Sequence, residues 1–183
     1  MCIRDRLLAD LGAEVIKIEK TPSGDDTRNF LPPEINGESA AFMMMNRNKK
    51  GIALNLKDKD GIEIFKTMVK NSDVVLENFR KGTLEKLGVG YDVMSKINPK
   101  IILCEISGYG RTGPYADKGG FDLVAQGMSG LMSITGESKD KPPMKVGAPI
   151  TDITAGLLAA SGILAALVHR EKTGEGQKVD TSL

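Results

Sequence analysis

The chain has 183 residues, a formal net charge of +1 and 40% hydrophobic residues, which suits one soluble globular domain with a core of its own. Near-neutral charge removes the main electrostatic argument for a nucleic-acid partner. The two cysteines suggest neither a disulfide framework nor a metal cluster: Cys2 lies in a polar N-terminal piece, Cys104 inside an expected buried strand, and a reducing cytoplasm is the natural compartment.

The N-terminal residues 1–6 are charged and lack the apolar stretch of a signal peptide. Leu7, Leu8 and Leu11 read as the last turn of a helix stopped by Gly12, and residues 14–19 as a strand with Val15, Ile16 and Ile18 apolar. A helix that begins almost at residue 1 suggests that the start of a domain is missing. Residues 20–40, rich in Pro, Gly, Asp and Asn, read as a long loop, and long loops in compact domains are often functional. Residues 52–56 form a second strand, and residues 61–70 an amphipathic helix with Ile62, Phe65, Met68 and Val69 on one face. A third strand covers 73–79, short helices 83–87 and 91–97, and a fourth strand 100–107. Helices at 121–132 and 152–170 follow, and 177–181 begins another extended segment. Apolar strands separated by helices predict an α/β fold, a mostly parallel sheet with helices on both faces. There is no internal repeat and no low-complexity tract.

The helix at 152–170 organises the rest. Asp152 opens it, His169 to Lys172 close it, and Gly174 and Gly176 follow. Ala155, Gly156, Ala159, Ala160, Gly162, Ala165 and Ala166 leave little side-chain bulk, so a neighbouring backbone can approach and the helix is expected to be buried on most sides. Its apolar run is slightly short for a membrane span of ~20 residues and is diluted by Thr154, Ser161 and glycines, which favours a core helix. Asp152 reads either as an N-cap or as a nucleophile, since a helix amino terminus and its free N–H groups keep a partly desolvated carboxylate ionised. Spacing alone leaves both readings open.

Ligands of such sheets sit beyond the carboxyl ends of the strands, and four places there offer chemistry. Gly108-Tyr109-Gly110-Arg111-Thr112-Gly113 has the dinucleotide-binding spacing, but Pro114 and Lys118-Gly119-Gly120 continue a loop where that motif requires a helix, so it reads as a tight glycine turn. Asn78, Phe79 and Arg80, with Lys81, offer an amide, a ring and cations to a nucleotide-like ligand, or form a solvated basic turn. Leu54, Asn55 and Lys57 lie at the end of another strand, where Lys57 meets phosphate or water. Phe121 and Asp122 open a helix, and Asp122 reads also as an N-cap. His169, the single histidine, offsets a helix dipole.

The strings LLADLGAEVIKIEKTPSGDDTR, ALNLKDKDG, VVLENFRKGTLEKLG, ISGYGRTGPYADKGGFDLVAQGMSGLMSITG, PITDITAG and ILAALVHREKTGEGQKVDTSL run in order along the chain. Together they resemble successive blocks of the class III CoA-transferases, also called CaiB/BaiF, from about Leu7 to Leu183. The resemblance implies an enzyme in which an aspartate attacks an acyl-CoA thioester and passes through a mixed anhydride to an aspartyl-CoA thioester. By its place in PITDITAG, Asp152 matches that aspartate. The same resemblance implies CoA contacts at Lys20, Leu54, Asn55, Lys57, Asn78, Phe79, Arg80 and Lys86, with Phe121 and Asp122 beside the pantetheine end. It implies acyl-CoA and a small carboxylic acid as substrates, no prosthetic group or metal, neither nucleic acid nor membrane as partner, and an interlocked homodimer. The related alpha-methylacyl-CoA racemases resemble G-H-D where this chain has Gly120-Phe121-Asp122, and phenylalanine cannot move a proton. A relative that binds CoA without catalysis would use Asp152 as a plain cap. Residues 1–6 depart from the family pattern and read as foreign or disordered, residues 7–183 as part of a Rossmann-like large domain truncated at Leu183, and the family's small domain as missing. For the oxyanion of the tetrahedral intermediates, the glycine-containing loops around Gly147 or Gly136 are the candidate sources of N–H donors.

Overall fold

The structure is a computed structural model that describes residues 3–183. Its elements in order are α1 (Ile3–Asp10), β1 (Val15–Glu19), a 3-10 turn (Asp26–Asn29), β2 (Glu34–Ile35), β3 (Glu38–Ser39), α2 (Ala40–Asn46), β4 (Lys49–Ala53) and α3 (Lys59–Lys70). Then come β5 (Val74–Glu77), α4 (Thr83–Lys86), α5 (Tyr91–Ile97), β6 (Ile102–Ser107), α6 (Asp122–Met128), α7 (Leu131–Thr135), α8 (Ile150–Thr173) and β7 (Lys178–Ser182).

The parallel α/β arrangement is present in two pieces. Strands β1 and β4 pair in parallel, with Val15 opposite Lys49 and Glu19 opposite Ala53, while β5, β6 and β7 form a second parallel sheet with β6 in the middle. The pieces share a core in which Leu54, Phe65, Val69, Leu84, Val89, Met94, Ile101 and Leu103 are buried, with Ile18, Leu56 and Val75 packed against them. Side chains alternate along β6, so Cys104 and Ile106 point the other way and meet Ala155, Ala159 and Ile163 of α8. Burial pushes the Cys104 thiol up to about 11, which makes it an inert packing group. Cys2 lies outside the described residues.

Helix α8 runs antiparallel to the strands it covers. Near its start, Ala155 carbonyl accepts from Thr181 Oγ1 at 3.4 Å. Near its end, Arg170 pairs with Asp73 at 2.9 Å and donates to the Lys100 carbonyl at 3.4 Å, both beside the amino ends of strands. Asp152 is thereby delivered to the carboxyl edge of the sheet. Small residues make this approach close: a Cβ at Gly162 would lie 2.7 Å from Val179 Cγ1, and one at Gly156 3.0 Å from Ile3. The helix is long and apolar enough by composition to cross a bilayer, yet α1, β6 and β7 pack along its small-residue stripe. It is not buried on most sides as its composition suggested, because Leu157, Leu158, Leu164 and Val168 face outward, each about half exposed.

Other expectations shift. Residues 3–6, read as foreign or disordered, form the first turn of α1, with Arg4 buried. The loop at 20–40 contains the 3-10 turn and the β2–β3 hairpin. Helix α2, unforeseen in a methionine-rich run, starts at Ser39, whose Oγ accepts from Phe42 N–H at 3.2 Å. Strand β4 lies three residues earlier than expected, which puts Leu54 just past it. The helix expected at 121–132 breaks in two at Gly130, where φ is 80°.

The close approach of α8 to β7 gives a direct test. Replacement of Gly162 by Leu, measured by urea unfolding, is expected to destabilise the chain by about 2 kcal/mol or more, because overpacking against a stiff β-branched neighbour outweighs the helix propensity gained.

Candidate active site

Asp152 is the third residue of α8, with Pro149 at the cap position and no side-chain cap from its own segment. The cap comes from α6. Asp122 Oδ1 accepts from Thr151 N–H at 2.9 Å and from the Thr151 hydroxyl at 2.8 Å, and the Asp152 N–H also reaches this carboxylate. Its Oδ2 accepts from Gln126 Nε2 at 2.7 Å. The Gln126 side chain is fully buried, and its Oε1 accepts from Val146 N–H at 2.8 Å. A flipped amide would lose both bonds, so the relay from Val146 through Gln126 and Asp122 to Thr151 has one orientation.

The two carboxylates are pushed in opposite directions. Burial is the largest influence on Asp122 and acts to raise its pKa, but the bonds from Thr151, Gln126 and the Asp152 N–H together outweigh it and hold the carboxyl below its ordinary value. Asp152 is raised, first by burial and then by the charge of Asp122. Among the described residues no hydrogen bond reaches its carboxylate. This corrects the expectation that free N–H groups at the helix start would keep Asp152 ionised. Thr151 and Asp152 N–H go to Asp122, Ile150 N–H to the Ala148 carbonyl at 2.8 Å, and Ile153 N–H to the Pro149 carbonyl at 2.9 Å. The first turn is thereby satisfied. Gly147 precedes α8 with its carbonyl accepting from Lys145 Nζ at 3.3 Å, and Gly136 ends α7.

The loop carrying Phe121 and Asp122 starts at the carboxyl end of β6 and closes on itself. Gly108 and Gly120 touch back to back: a Cβ on Gly108 would lie 2.4 Å from Gly120 N. No helix opens on the glycines at 108–113, which turn with positive φ at Gly110 and Gly113. Arg111, inside this loop, reaches the sheet. It pairs with Glu77, lies 3.4 Å from Glu105 and donates to the Phe79 carbonyl at 3.1 Å. Its own N–H donates to Asp180 at 3.3 Å. Lys178 pairs with Glu105 at 2.7 Å. Burial pushes Glu77 up to about 7; a bond from Phe79 N–H and the Arg111 charge oppose this, and neighbouring Glu105 adds to it.

The sequence-derived binding residues divide by exposure. Lys20 follows β1, pairs with Asp26 at 2.6 Å, and lines a cleft of about 590 Å³ with residues 21–24, Arg28 and the end of β4. That segment is anchored from below: Lys17 bonds Asp25 and Asn46, Glu19 pairs with Arg28 at 3.1 Å, and the Arg28 guanidinium stacks 3.9 Å from the Phe42 ring centre. Leu54 N–H donates to the Glu19 carbonyl at 2.9 Å, which ties the two strand ends together. The Leu54 side chain is in the core, so it has only backbone to offer a ligand. Asn55 and Lys57 are exposed, as are Asn78, Phe79, Arg80 and Lys86. Phe121 is 74% exposed beside the Asp122–Asp152 pair. His169 is exposed, and at ~1.5 Å per helical residue it stands about 25 Å from Asp152. Among the described residues no group of His, Cys, Asp or Glu is placed to hold a metal ion.

Residues 3–183 match the family model described as CoA-transferase family III. The chain belongs to this family. Among curated family III relatives it is similar to the succinyl-CoA:glutarate CoA-transferase of Mus musculus, 48% identical over 176 residues covering 96% of this chain and 40% of that protein. It is also similar to the acetyl-CoA:oxalate CoA-transferase of Acetobacter aceti, 44% identical over 97% of this chain and 45% of that protein. The crystal structure of a CaiB/BaiF family protein from Brucella suis superposes with a TM-score of 0.89 at 44% identity, covering 94% of this chain and 46% of the other. The chain thus spans less than half the length of these relatives.

Gln126, Thr151 and Arg111 escaped the sequence reading. The spacing of Asp122 and Gln126, four apart and so neighbours on one helix face, was the available signal for the relay. Arg111 was visible only as part of a glycine turn.

Two outcomes follow from the opposed carboxylates. A carboxyl whose pKa rises on folding binds its proton more tightly in the folded chain, so its charged form costs stability at neutral pH and the cost disappears below the unfolded value of roughly 3.9. Asp152→Asn is therefore expected to raise the thermal midpoint at pH 7 by about 1–3 °C and to leave it unchanged near pH 3, by calorimetry at both pH values. Asp122→Ala is expected to lower stability by about 1–2 kcal/mol through loss of the cap; the Asp152 carboxyl, followed by NMR titration, should then move down toward its ordinary value.

Proposed function

We propose that the chain carries the nucleophile of an enzyme that transfers CoA from an acyl-CoA to a carboxylic acid. The observation that carries this reading is the Asp152 carboxylate: half-buried, without hydrogen bonds among the described residues, and held at the carboxyl edge of the sheet in a family III chain. A carboxylate stripped of donors is a better nucleophile than one whose lone pairs are engaged, and Asp122 keeps the competing N–H groups occupied.

Asp152 attacks the thioester carbonyl and expels the CoA thiolate, giving an acyl-aspartyl anhydride. The thiolate then attacks the aspartyl carbonyl, which releases the first carboxylate and leaves CoA on Asp152 as a thioester. The acceptor carboxylate attacks that thioester, again expelling the thiolate and forming a second anhydride. Thiolate attack on the acceptor carbonyl of this anhydride forms the new acyl-CoA and regenerates Asp152. Each step exchanges one acyl bond for another, so the sequence is balanced without a redox partner. Lys20, Lys57, Arg80 and Lys86 are cations suited to the phosphates of CoA, Asn78 and Phe79 to the adenine, and Phe121 to the pantetheine arm. The backbone at Leu54 and Asn55 lines the same groove. CoA and acyl-CoA enter as substrates, with no prosthetic group. Succinyl-CoA with a short dicarboxylic acid is the first pair to try, because the relative in Mus musculus carries succinyl-CoA and glutarate in its name and that in Agrobacterium fabrum succinate and glutarate. We place the enzyme in the cytoplasm as an interlocked homodimer, with a small domain outside this stretch; the outward leucines of α8 offer a further segment or subunit an apolar surface.

Racemisation by proton transfer is disfavoured, since Phe121 carries no titratable group and His169 is far along α8. The test is to incubate the complete polypeptide with succinyl-CoA, trap with borohydride or hydroxylamine, and map the peptides. A modification on the Asp152 peptide, absent in Asp152→Asn, is expected. Exchange of the alpha proton without any adduct would instead point to the racemase.

A further inference from the structure

The register of the second sheet places three acids in one row. Glu77 of β5 pairs with Glu105 of β6, which pairs with Asp180 of β7, and paired residues of adjacent strands point to the same face. Glu77 and Glu105 are both buried. Burying adjacent carboxylates is costly unless a cation lies between them, and Arg111 supplies it from the glycine loop, with its side chain 12% exposed.

The pairing does more than neutralise charge. Phe79 N–H donates to Glu77 Oε2 at 2.6 Å, and the Phe79 carbonyl accepts from Arg111 Nη1 at 3.1 Å. Both polar ends of the Phe79 residue are therefore gripped by the two partners of one ion pair. Phe79 itself is 43% exposed, with its neighbours Asn78 and Arg80 also at the surface. At the same time the Arg111 backbone is tied to Asp180, and its loop is pinched shut by Gly108 and Gly120 immediately before Phe121 and Asp122. One guanidinium thus links the turn after β5 to the loop that presents the partner of Asp152.

We propose that Arg111 is a positioning residue for acyl-CoA, gripping the Phe79 backbone through its pairing with Glu77 so that residues 78–80 and the loop bearing Phe121 and Asp122 face one ligand together. This rests on the CoA-transfer reading above. The planar fork of arginine is what the arrangement needs, because one group has to meet a carboxylate and a carbonyl in fixed directions. A lysine at the same place can neutralise Glu77 but presents a single ammonium.

The test compares Arg111→Lys, Arg111→Gln, Glu77→Gln and the double variant in the complete polypeptide. It measures the CoA dissociation constant by calorimetry, KM and kcat for succinyl-CoA, and the thermal midpoint. Arg111→Gln is expected to weaken CoA binding about tenfold, ~1.4 kcal/mol, and to raise KM for acyl-CoA more than it lowers kcat. Arg111→Lys is expected to weaken binding several-fold while melting close to wild type, which keeps the idea testable if the glutamine variant fails to fold. Because both partners act through the same backbone, the double variant is expected to bind no worse than Arg111→Gln alone. An Arg111→Lys protein that binds CoA as tightly as wild type would overturn the proposal, as would strictly additive losses in the double variant. Normal CoA binding by wild type with no adduct at Asp152 would instead remove the transfer reading and leave the Arg111 comparison standing.

Discussion

The Asp122 carboxylate takes the hydrogen bonds that the first turn of α8 would otherwise offer to Asp152, and the character of the site follows from that exchange. A helix start has N–H groups in need of acceptors. When the acid at the third position satisfies them, it becomes a structural cap with a depressed pKa. Here the acceptor comes from a different helix, oriented by the buried amide of Gln126, and Asp152 is left half-buried, with no hydrogen bond to its carboxylate among the described residues and its pKa raised. The bland and the sharp readings of an acid at a helix start are thus divided between two residues. Asp122 is the cap, and among the described residues no hydrogen bond reaches the Asp152 carboxylate.

This arrangement depends on how closely the chain can be folded at the carboxyl edge of the sheet. Gly162 lets α8 lie against Val179, and the contact of Gly108 with Gly120 closes the loop that carries Asp122. These two close approaches set the distance at which a carboxylate on α6 meets the first turn of α8, where a displacement of one ångström would turn a hydrogen bond into a gap.

Charge is handled differently at the two ends of the site. Around Asp122 the carboxylate is satisfied by neutral donors, which orient it without cancelling its effect on Asp152. At the row formed by Glu77, Glu105 and Asp180, the acids are met by Arg111 and Lys178, and the guanidinium also donates to the backbone carbonyl of Phe79. The first pattern raises the pKa of a neighbouring carboxyl, whereas the second builds a support beneath exposed residues.

Much of this was legible along the chain. Strand and helix alternation, the long small-residue helix, the strand-end positions of Lys20, Asn55, Lys57 and residues 78–80, and the acid that opens the long helix all follow from local pattern, because periodicity and turn chemistry act over a few residues. Near-neutral charge with few cysteines belongs to the same class of information. What the tertiary structure alone decided was pairing between distant segments: Asp122 caps Thr151 across 29 positions, and Arg111 reaches Glu77 across 34. Gln126 joins Asp122 to Val146 only once α6 is packed, and the Leu54 side chain turns into the core although its backbone stays at the strand end. Such assignments depend on which groups lose their water together, and that is a property of the packed chain rather than of any stretch within it.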